Sequence, residues 1–521
     1  MFASFSRMLG SMITLVLGLT FLVPANAQTA PKTYLIGSNA PLNQSQVEAL
    51  KQAGAQVKYT YKNFGGAAAV IASKDLRTVR ALPFVTSVNE DTLKQLDSIA
   101  TTPASAPAAL PGTPYWLDLI DAEKNTTYTG EGVWVAVLDS GFYPNWRDYF
   151  QESNILTQYA TAFVAANGNQ NNNQWDVGSD PHGMAVAATI VGYTLRDKPG
   201  EGAFGEGYAT GNAGTYAVPG VAPGAKIIPI RVCEPVGCFG SAINAGVDYV
   251  TSLKKAHPHQ PIVINESLGG PSLDPVEKAA LDAAIGAGVV VVASAGNNGN
   301  SGMGFPGAYE PVISVGAGGW RGQWNEYPDN TWWLDDVQER TTPDDVSQMF
   351  IVSFSSRQKD GQYLDVVGPG RNMLLPYPCA QLYKDGQATN GTLHRTCASK
   401  ASPDSAQSAP YQYLHISGTS FSAPAMAGII ALMLDKDGSL NNADAALGSM
   451  SPTSWGPGSL ETLLEGTARS IAPGTANVTQ RTGTPFTECW ETTLAGRSDC
   501  TTLEATGAGW IFVDDALNAV P

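Results

Sequence analysis

Residues 413–434 read YLHISGTSFSAPAMAGIIALML, a short apolar run followed by a turn and a long run of small and apolar residues. The first run predicts a strand and the last predicts a helix, so the turn at 418–424 joins the two. Ser420 lies where that helix begins, and free backbone N–H groups and the helix dipole favour negative charge there. Ser420 is therefore either the N-cap of a core helix or a nucleophile whose attack on a carbonyl group produces an oxyanion.

Two patterns alternate from residue 115 onward. Short apolar, β-branched runs predict strands that are buried on both faces, at 133–138, 226–230, 262–264 and 289–293. Helix-like runs are interspersed among them, at 185–192, 242–255 and 275–286. This alternation predicts an α/β fold with a mostly parallel sheet, whose ligand site lies beyond the carboxyl ends of the strands.

Three polar side chains occur near the ends of predicted elements. Asp139 directly follows the run 133–138, His182 precedes Gly183 and a run of small residues, and Asn297 follows the run 289–293. Each alone has a structural explanation, as a cap, an exposed histidine or a turn residue. Together with Ser420 they supply what nucleophilic catalysis by serine needs: a base, a carboxylate that orients the base, and a donor to the oxyanion.

Five motifs carry a family resemblance. They are Asp-Ser-Gly at 139–141, His-Gly at 182–183, Ser-Leu-Gly-Gly at 267–270, Ala-Gly-Asn at 295–297 and Gly-Thr-Ser at 418–420. Their order, Asp before His before Ser, is the subtilisin order. The sequence therefore resembles the subtilases, the secreted subtilisin-like serine proteases of peptidase family S8.

The resemblance implies a role for each matched residue. Ser420 would be the nucleophile, His182 the base and Asp139 the residue that orients His182. Asn297 would donate to the oxyanion. A further set would bind substrate backbone as an added strand, opposite residues 239–241: Ser267, Leu268, Gly269 and Gly270. The sequence departs from the family pattern in two places: the run 184–188 after His-Gly, and Ala425 after Pro424.

The resemblance also implies a three-layer subtilisin-like fold for a catalytic domain at 114–521. Relative to a minimal subtilase the chain carries insertions, at about 193–217, 320–349, 376–413 and 451–506. The second insertion is rich in tryptophan and aspartate. It is interpreted as an acidic loop packed by its own tryptophans, as a peptide-binding edge or as a calcium site.

The first residues predict a targeting segment. Arg7 precedes an apolar run at 12–23 that is too short to span a bilayer, and Ala-Asn-Ala at 25–27 suits a signal peptidase. Residues 1–27 are therefore predicted to be a signal peptide. The protein is expected to be secreted, either to the extracellular space or to the periplasm of a Gram-negative host.

Residues 28–97 predict a small separate unit. Strand patterns at 33–36, 57–61, 67–72 and 85–88 and helix patterns at 43–54 and 76–82 give the order β-α-β-β-α-β, which fits a ferredoxin-like α+β fold. The unit resembles the subtilase propeptide, an intramolecular chaperone and inhibitor that is removed by self-cleavage. Residues 98–113, rich in Ala, Pro, Thr and Ser, predict an exposed linker, and the cut is expected between 91 and 113.

The cysteines and the charge bound the environment and the partners. The six cysteines form three close pairs in sequence, and the nearest-neighbour disulfides are predicted in an oxidising compartment, although spacing alone leaves other pairings open: Cys233 with Cys238, Cys379 with Cys397, and Cys489 with Cys500. The net charge of −16 argues against nucleic acid or membrane as a partner. A monomer is expected, with peptide substrates and its own propeptide as partners. The chemistry needs no cofactor; structural calcium is typical of the family, but its ligands are not assigned.

Three more classes of protein fit parts of the pattern. A sedolisin-like acid peptidase shares the Gly-Thr-Ser turn but uses Glu and Asp as bases and an Asp in the oxyanion hole, which His182 and Asn297 argue against. A non-catalytic secreted binding module would keep the fold without the reaction. An esterase could use the same triad, but the α/β-hydrolase type lacks support because no Gly-x-Ser-x-Gly elbow is matched.

Overall fold

The structure is a computed structural model, and it describes the chain in segments. The described residues are 31–96, 99–103, 113–164, 174–178, 180–196, 215–321, 333–334, 346, 349–378, 383–384, 387–388, 413–440, 460–471, 474–479, 485–490 and 505–521. The predicted signal peptide and much of the insertions therefore lie outside the described residues.

The N-terminal unit is a four-stranded antiparallel sheet with two helices. Its elements are β1 (Lys32–Ser38), α1 (Gln44–Gln52), β2 (Gln56–Thr60), β3 (Gly66–Ile71), α2 (Leu76–Arg80) and β4 (Val85–Glu90). The strand order is β2-β3-β1-β4. Helix α1 begins with a capping box, in which Asn43 Oδ1 accepts from the Gln46 backbone N–H and Gln46 Oε1 accepts from that of Asn43. The predicted β-α-β-β-α-β order is confirmed.

The remaining elements form the larger unit and the chain that leads into it. In chain order they are β5 (Leu93–Leu96), β6 (Ile99–Pro103), β7 (Thr113–Pro114), α3 (Tyr115–Asp118), β8 (Trp134–Asp139), β9 (Thr161–Ala162), α4 (His182–Val191), β10 (Tyr193–Arg196), β11 (Thr215–Val218), β12 (Lys226–Arg231), β13 (Cys233–Glu234), β14 (Gly237–Phe239), α5 (Gly240–Ala256), β15 (Ile262–Glu266), β16 (Leu268–Gly269), α6 (Pro275–Gly286), β17 (Val290–Ser294), β18 (Ile313–Trp320), β19 (Trp333–Leu334), β20 (Met349–Ile351), β21 (Val366–Pro369), β22 (Met373–Pro376), β23 (Tyr383–Lys384), β24 (Gln387–Ala388), β25 (Tyr413–Ser417), α7 (Thr419–Lys436), α8 (Leu460–Thr467), β26 (Gly474–Thr479), β27 (Pro485–Trp490) and α9 (Val513–Ala519).

The central sheet of the larger unit has eight strands in the order β20-β18-β17-β15-β8-β12-β9, with β21 also paired to β18. All of these pairs are parallel except β18 with β20. The predicted α/β fold with a mostly parallel sheet is therefore confirmed. The strands predicted at 133–138, 226–230, 262–264 and 289–293 all lie in this sheet, within a residue or two of their predicted bounds, whereas β25 pairs with β22 and β6 in a separate sheet.

Helices cover both faces of the central sheet. On β8, Val135 and Val137 belong to the core that contains α4 and α7. Ala136 and Leu138 belong to the core that contains α5 and α6. Since successive side chains of a strand point to opposite faces, burial on both faces requires the uninterrupted apolar run that the sequence contains.

The N-terminal unit packs on helices α5 and α6 of the larger unit. Tyr59, Tyr61 and Phe64 join the core on the α5 side of the central sheet. The carboxylate of Asp248 accepts hydrogen bonds from the backbone N–H groups of residues 62 and 63 at 2.8–3.1 Å. The small unit thus completes its own limited core by docking on a partner surface.

The segment that follows the N-terminal unit differs from the predicted linker. The sequence predicts an irregular, exposed stretch at 98–113, whereas Ile99–Pro103 forms β6, which pairs antiparallel with β25. Thr113–Pro114 forms β7, which pairs with β19. Extended Thr- and Pro-rich chain has backbone groups available for pairing, and β25 supplies an edge that such a chain can join. Residues 104–112 lie outside the described residues.

One of the three predicted disulfides is observed, between Cys233 and Cys238. It closes the turn between β13 and β14, where the two residues face each other in register. Cys379, Cys397 and Cys500 lie outside the described residues. The pairs of Cys379 with Cys397 and of Cys489 with Cys500 therefore stay predictions. Among the helices that the structure describes, none has the length and apolarity needed to cross a bilayer.

Candidate active site

Asp139 and His182 meet at the carboxyl end of the central sheet. Asp139 is the last residue of β8 and His182 is the first residue of α4. Nδ1 of His182 lies 2.9 Å from each carboxylate oxygen of Asp139. Both side chains are fully buried. A carboxylate on Nδ1 holds the imidazole in the tautomer whose Nε2 is available as a base.

The loop after Asp139 fixes the carboxylate. Its Oδ1 accepts from the backbone N–H of Ser140 at 2.6 Å, and Oγ of Ser140 accepts from the N–H of Gly183 at 3.0 Å. Gly141 has a φ of 76°, and a Cβ at this residue would lie 2.4 Å from the carbonyl oxygen of Trp175. Glycine is therefore required at this turn. The Asp-Ser-Gly motif ties the end of β8 to the start of α4.

Ser420 is the second residue of α7, and it is fully buried. Gly418 precedes the helix with a φ of 154°, which allows the sharp change of direction from β25 into α7. Oγ of Ser420 donates to the carbonyl oxygen of Ser267 at 3.1 Å, and Oγ of Ser267 donates to that of Ser420 at 2.8 Å. The ring of Phe421 lies 5.4 Å from that of His182, centroid to centroid. The start of α7 thus contacts both His182 and Ser267.

Asn297 is held by the residue before Ser420. Its Oδ1 accepts from both the backbone N–H and Oγ1 of Thr419, each at 3.0 Å. Oγ1 of Thr419 also accepts from the N–H of Gly296 at 3.2 Å. With Oδ1 engaged in this way, the amide N–H₂ of Asn297 is the end that can donate elsewhere. The sequence identified Asn297 but gave no sign that Thr419 orients it.

The residues predicted to bind substrate backbone are already paired with the chain itself. Strand β16 pairs antiparallel with β5, so that Leu268 faces Leu96 and Gly269 faces Gln95. On its other side β5 pairs with β14, where Phe239 faces Leu93. Gly270 pairs instead with Phe305. The groove between β14 and β16, predicted to receive an extended peptide, holds residues 93–96.

Residues 93–96 and 99–103, which form β5 and β6, lie beside the two segments that flank Ser420 in the fold. Strand β5 lies beside β16, which continues from Ser267, and β6 lies beside β25, which leads into Gly418. The register pairs Ser417 with Ile99. An extended chain bound across a serine in this manner presents its backbone as a peptide substrate would.

Comparison with known proteins identifies the family. The sequence profile of the subtilase family, peptidase S8, matches residues 130–487, which is most of the chain. The chain belongs to the subtilase family. The prediction of a subtilisin-like serine peptidase is therefore confirmed at the level of the family.

Individual relatives of this subtilase are moderately similar. Subtilisin E of Bacillus subtilis (strain 168) is 29% identical over 305 residues, covering 56% of this chain and 67% of that protein. Serine protease AprX of the same strain is 30% identical over 326 residues, covering 60% of this chain and 59% of AprX. Fervidolysin of Fervidobacterium pennivorans, described as a keratinolytic enzyme related to subtilisin, shares the fold, with a TM-score of 0.57 and 21% identity. The match covers 95% of this subtilase and 62% of the fervidolysin chain.

A cluster of three acidic side chains lies apart from Ser420. Carboxylate oxygens of Asp365, Glu461 and Glu465 lie within 4.8 Å of one another. Oδ2 of Asp365 accepts from the N–H and Oγ of Ser314 at 2.6 and 2.8 Å. Oxygen ligands suit a hard cation, so these three residues would hold a structural calcium ion if the protein binds one at this place. The sequence did not predict this cluster, because its members come from distant segments.

This acidic cluster predicts a pH-dependent stability. Burial, with a contribution from the charge of Glu465, raises the pKa of Asp365 from its ordinary value of 3.8 to about 8. Burial also raises the pKa of Glu461, and the charges of Asp365, Glu465 and Glu310 add to that shift. The folded state then keeps a proton that the unfolded chain releases near pH 4. In chelator, the free energy of unfolding should therefore fall as the pH rises from about 4 to about 8, by up to about 1.4 kcal/mol per pH unit.

Thermal unfolding of the wild type and of Asp365→Asn, followed across this pH range, measures the effect. The difference in unfolding temperature between the two proteins should change steadily with pH, and the exposed Asp360→Asn should follow the wild type. Parallel curves for the wild type and Asp365→Asn would contradict a proton that Asp365 keeps in the folded state. A stabilisation by calcium that Asp365→Asn abolishes would assign the cluster to the cation.

Proposed function

We propose that this subtilase is a secreted serine endopeptidase that hydrolyses peptide bonds through Asp139, His182 and Ser420. The observation that carries the proposal is the pair of 2.9 Å contacts between Asp139 and Nδ1 of His182, beside the helix start that holds Ser420. A buried carboxylate–imidazole pair next to a serine at a helix N-terminus combines the base and the field that favours an oxyanion.

The chemistry follows from the residues in these roles. Oγ of Ser420 leaves its hydrogen bond to Ser267 and gives its proton to Nε2 of His182 as it attacks the substrate carbonyl carbon. Asp139 stabilises the imidazolium that results. His182 then returns the proton to the leaving amine, the C–N bond breaks, and an acyl-enzyme remains on Ser420. Water, activated by the same histidine, releases the acid and restores the serine.

Asn297 and the start of α7 stabilise the tetrahedral intermediate. The amide N–H₂ of Asn297 and the backbone N–H of Ser420 would donate to the oxyanion. Thr419 keeps the amide of Asn297 in the orientation that this role needs, since Oδ1 accepts two hydrogen bonds from Thr419. The mechanism uses side chains and backbone of the chain alone, and calcium, if bound, would serve structure.

We also propose that the protein is made as a self-processing zymogen. Residues 28–97 would be the inhibitory propeptide, 98–113 the linker that is cut and 114–521 the catalytic domain, after loss of a signal peptide at 1–27. The occupied groove supports this, because β5 fills the strand position between β14 and β16 where a substrate would bind. The cut is then expected after Leu96 and before Thr113. The disulfide at Cys233 is consistent with an exported protein.

Labelling by a serine-directed fluorophosphonate, combined with cleavage of a peptide library, tests the proposed function. The processed protein should cleave peptides, lose the activity on labelling, and carry the label on Ser420 in its tryptic map. Libraries digested with and without chelator report whether calcium matters. Intact libraries together with unlabelled Ser420 would favour the non-catalytic binding module, and activity confined below about pH 5, where His182 would be protonated, would favour acid peptidase chemistry.

A further inference from the structure

A lysine is buried in the groove that holds β5. The side chain of Lys94 is 1% exposed, and its Nζ donates to the carboxylate of Glu277 and to the carbonyl oxygen of Phe305, the latter at 2.8 Å. Its aliphatic stem lies against Gly270, where a Cβ would come within 3.0 Å of Cγ of the lysine. The space that Gly270, Glu277 and Phe305 form around this side chain is named the Lys94 pocket.

A second carboxylate lies beside the Lys94 pocket. Glu266, the last residue of β15, is 0% exposed, and neither carboxylate oxygen has a hydrogen-bond partner among the described residues. Burial, together with the charge of Glu277, raises the pKa of Glu266 to about 8, and the charge of Lys94 opposes the shift. With that pKa, Glu266 is largely protonated at neutral pH, so Glu277 supplies the negative charge of the pocket and Lys94 is its cation.

The pocket keeps its negative character when β5 leaves. Glu277 lies in the first turn of α6, where the helix dipole stabilises a carboxylate. A buried carboxylate that loses its cation is costly, because neither water nor a counter-ion replaces the lost interaction fully. An entering side chain with a positive charge restores the pair, whereas an apolar side chain leaves Glu277 unpaired.

The strand register shows which substrate residue would enter. Along β5 the side chains of Lys94 and Leu96 point inward and those of Leu93 and Gln95 are exposed. Leu96 faces Leu268, so the next residue of a peptide bound in this register falls opposite Ser267, whose carbonyl oxygen accepts from Ser420. If the carbonyl of that next residue is attacked, Lys94 marks the fourth residue before the scissile bond.

We infer that the Lys94 pocket is a specificity site that selects lysine or arginine as the fourth residue before the bond that is cut. The inference rests on the proposed function, because it names a substrate class for the same groove. It makes Glu277 a specificity-determining residue for the peptide, while the bond breaking remains with Ser420. Lys94 then acts as the chain's own occupant of a site that favours basic peptides.

Matched peptides that differ only at the fourth residue before the scissile bond test the inference. The enzyme obtained by expressing the full chain is assayed with lysine, arginine, norleucine and glutamate at that position. We expect kcat/KM for the lysine and arginine peptides to exceed that for norleucine by at least about tenfold, and glutamate to be the poorest. Norleucine matches the lysine stem without its charge, so the ratio isolates the ion pair.

Glu277→Gln assigns the preference to the pocket. This variant should bring the lysine-to-norleucine ratio close to one, while Asp282→Asn, on the outer part of the same helix and paired with Lys278, should keep the wild-type ratio. Because Glu277→Gln leaves Lys94 buried without its carboxylate, Lys94→Met with Glu277→Leu serves as a second variant whose zymogen has no unpaired charge. It should favour norleucine over lysine.

The outcomes separate the two proposals. Equal kcat/KM values for lysine and norleucine peptides in an active wild-type enzyme, or a lysine preference that persists in both Glu277 variants, overturn the Lys94 pocket as a specificity site and leave the protease intact. If no peptide is cut and Ser420 is not labelled, the proposed function fails and the pocket inference fails with it.

Discussion

The Ser420→Ala variant of the full chain is expected to remain uncut, with residues 28–97 still attached, and to hydrolyse no peptide detectably. Without Oγ no covalent intermediate can form, so both self-processing and turnover lose their nucleophile. The expected loss in kcat is about 10⁶-fold, the size of the effect in subtilisin itself when its nucleophile or its base is removed. Intact-mass spectrometry of protein from a protease-deficient host measures the processing, and peptide hydrolysis measures the turnover.

A second serine on the same helix supplies the control for this experiment. Oγ of Ser422 is buried against Gly370 and has no hydrogen-bond partner among the described residues. Ser422→Ala should therefore fold, mature and cleave peptides much as the wild type does. Normal maturation of Ser420→Ala in a host free of other proteases would rule out self-cleavage, and retained turnover would rule out Ser420 as the nucleophile.

Asp139→Asn should fold but lose about 10⁴-fold in kcat, as the corresponding change does in other serine proteases. Both carboxylate oxygens lie 2.9 Å from Nδ1 of His182, so an amide in their place removes the charge that stabilises the imidazolium. The amide N–H₂ can also turn toward Nδ1 and favour the tautomer that carries its proton on Nε2. In that tautomer Nε2 cannot accept the proton of Ser420.

Rates of self-processing and of peptide hydrolysis, normalised to protein that unfolds at the wild-type temperature, measure the loss in Asp139→Asn. Asp514→Asn, at the exposed start of α9, removes the same charge far from the site and should keep full activity. A reduction of less than about tenfold in Asp139→Asn would remove Asp139 from the proposed catalytic group. Such a result would leave Ser420 and His182 to act with another partner.

Much of the fold could be predicted because the relevant signals are local. The run 133–138 is apolar at every position, since β8 is buried on both faces, and this distinguishes it from a strand with one solvated face. The helix at 275–286 has its capping Asp274 and a proline at its first position, and its predicted bounds match α6. The strand at 99–103 could not be predicted in this way, because the pairing of β6 with β25 joins positions more than 300 residues apart.

In the candidate site, too, some residues have a local sequence signal and others do not. Asp139, His182, Asn297 and Ser420 could be identified because each follows or begins a predicted element within a short motif. The role of Thr419 in holding Asn297, and the pairing of Lys94 with Glu277, have no local signature. A lysine in a polar run is usually solvated, and only the approach of α6 reveals that this one is buried.

The sequence by itself determined the alternation of strands and helices, the residue types at the ends of the strands, and their order along the chain. These properties depend on periodicity and on turn chemistry within a few residues. The tertiary structure alone decided that Asp139 lies against His182, that Ser420 contacts Ser267, and that residues 93–96 occupy the groove with Lys94 held by Glu277. Those contacts join segments that are distant in the chain, and their free energy comes from burial and pairing that exist only once the sheet has assembled.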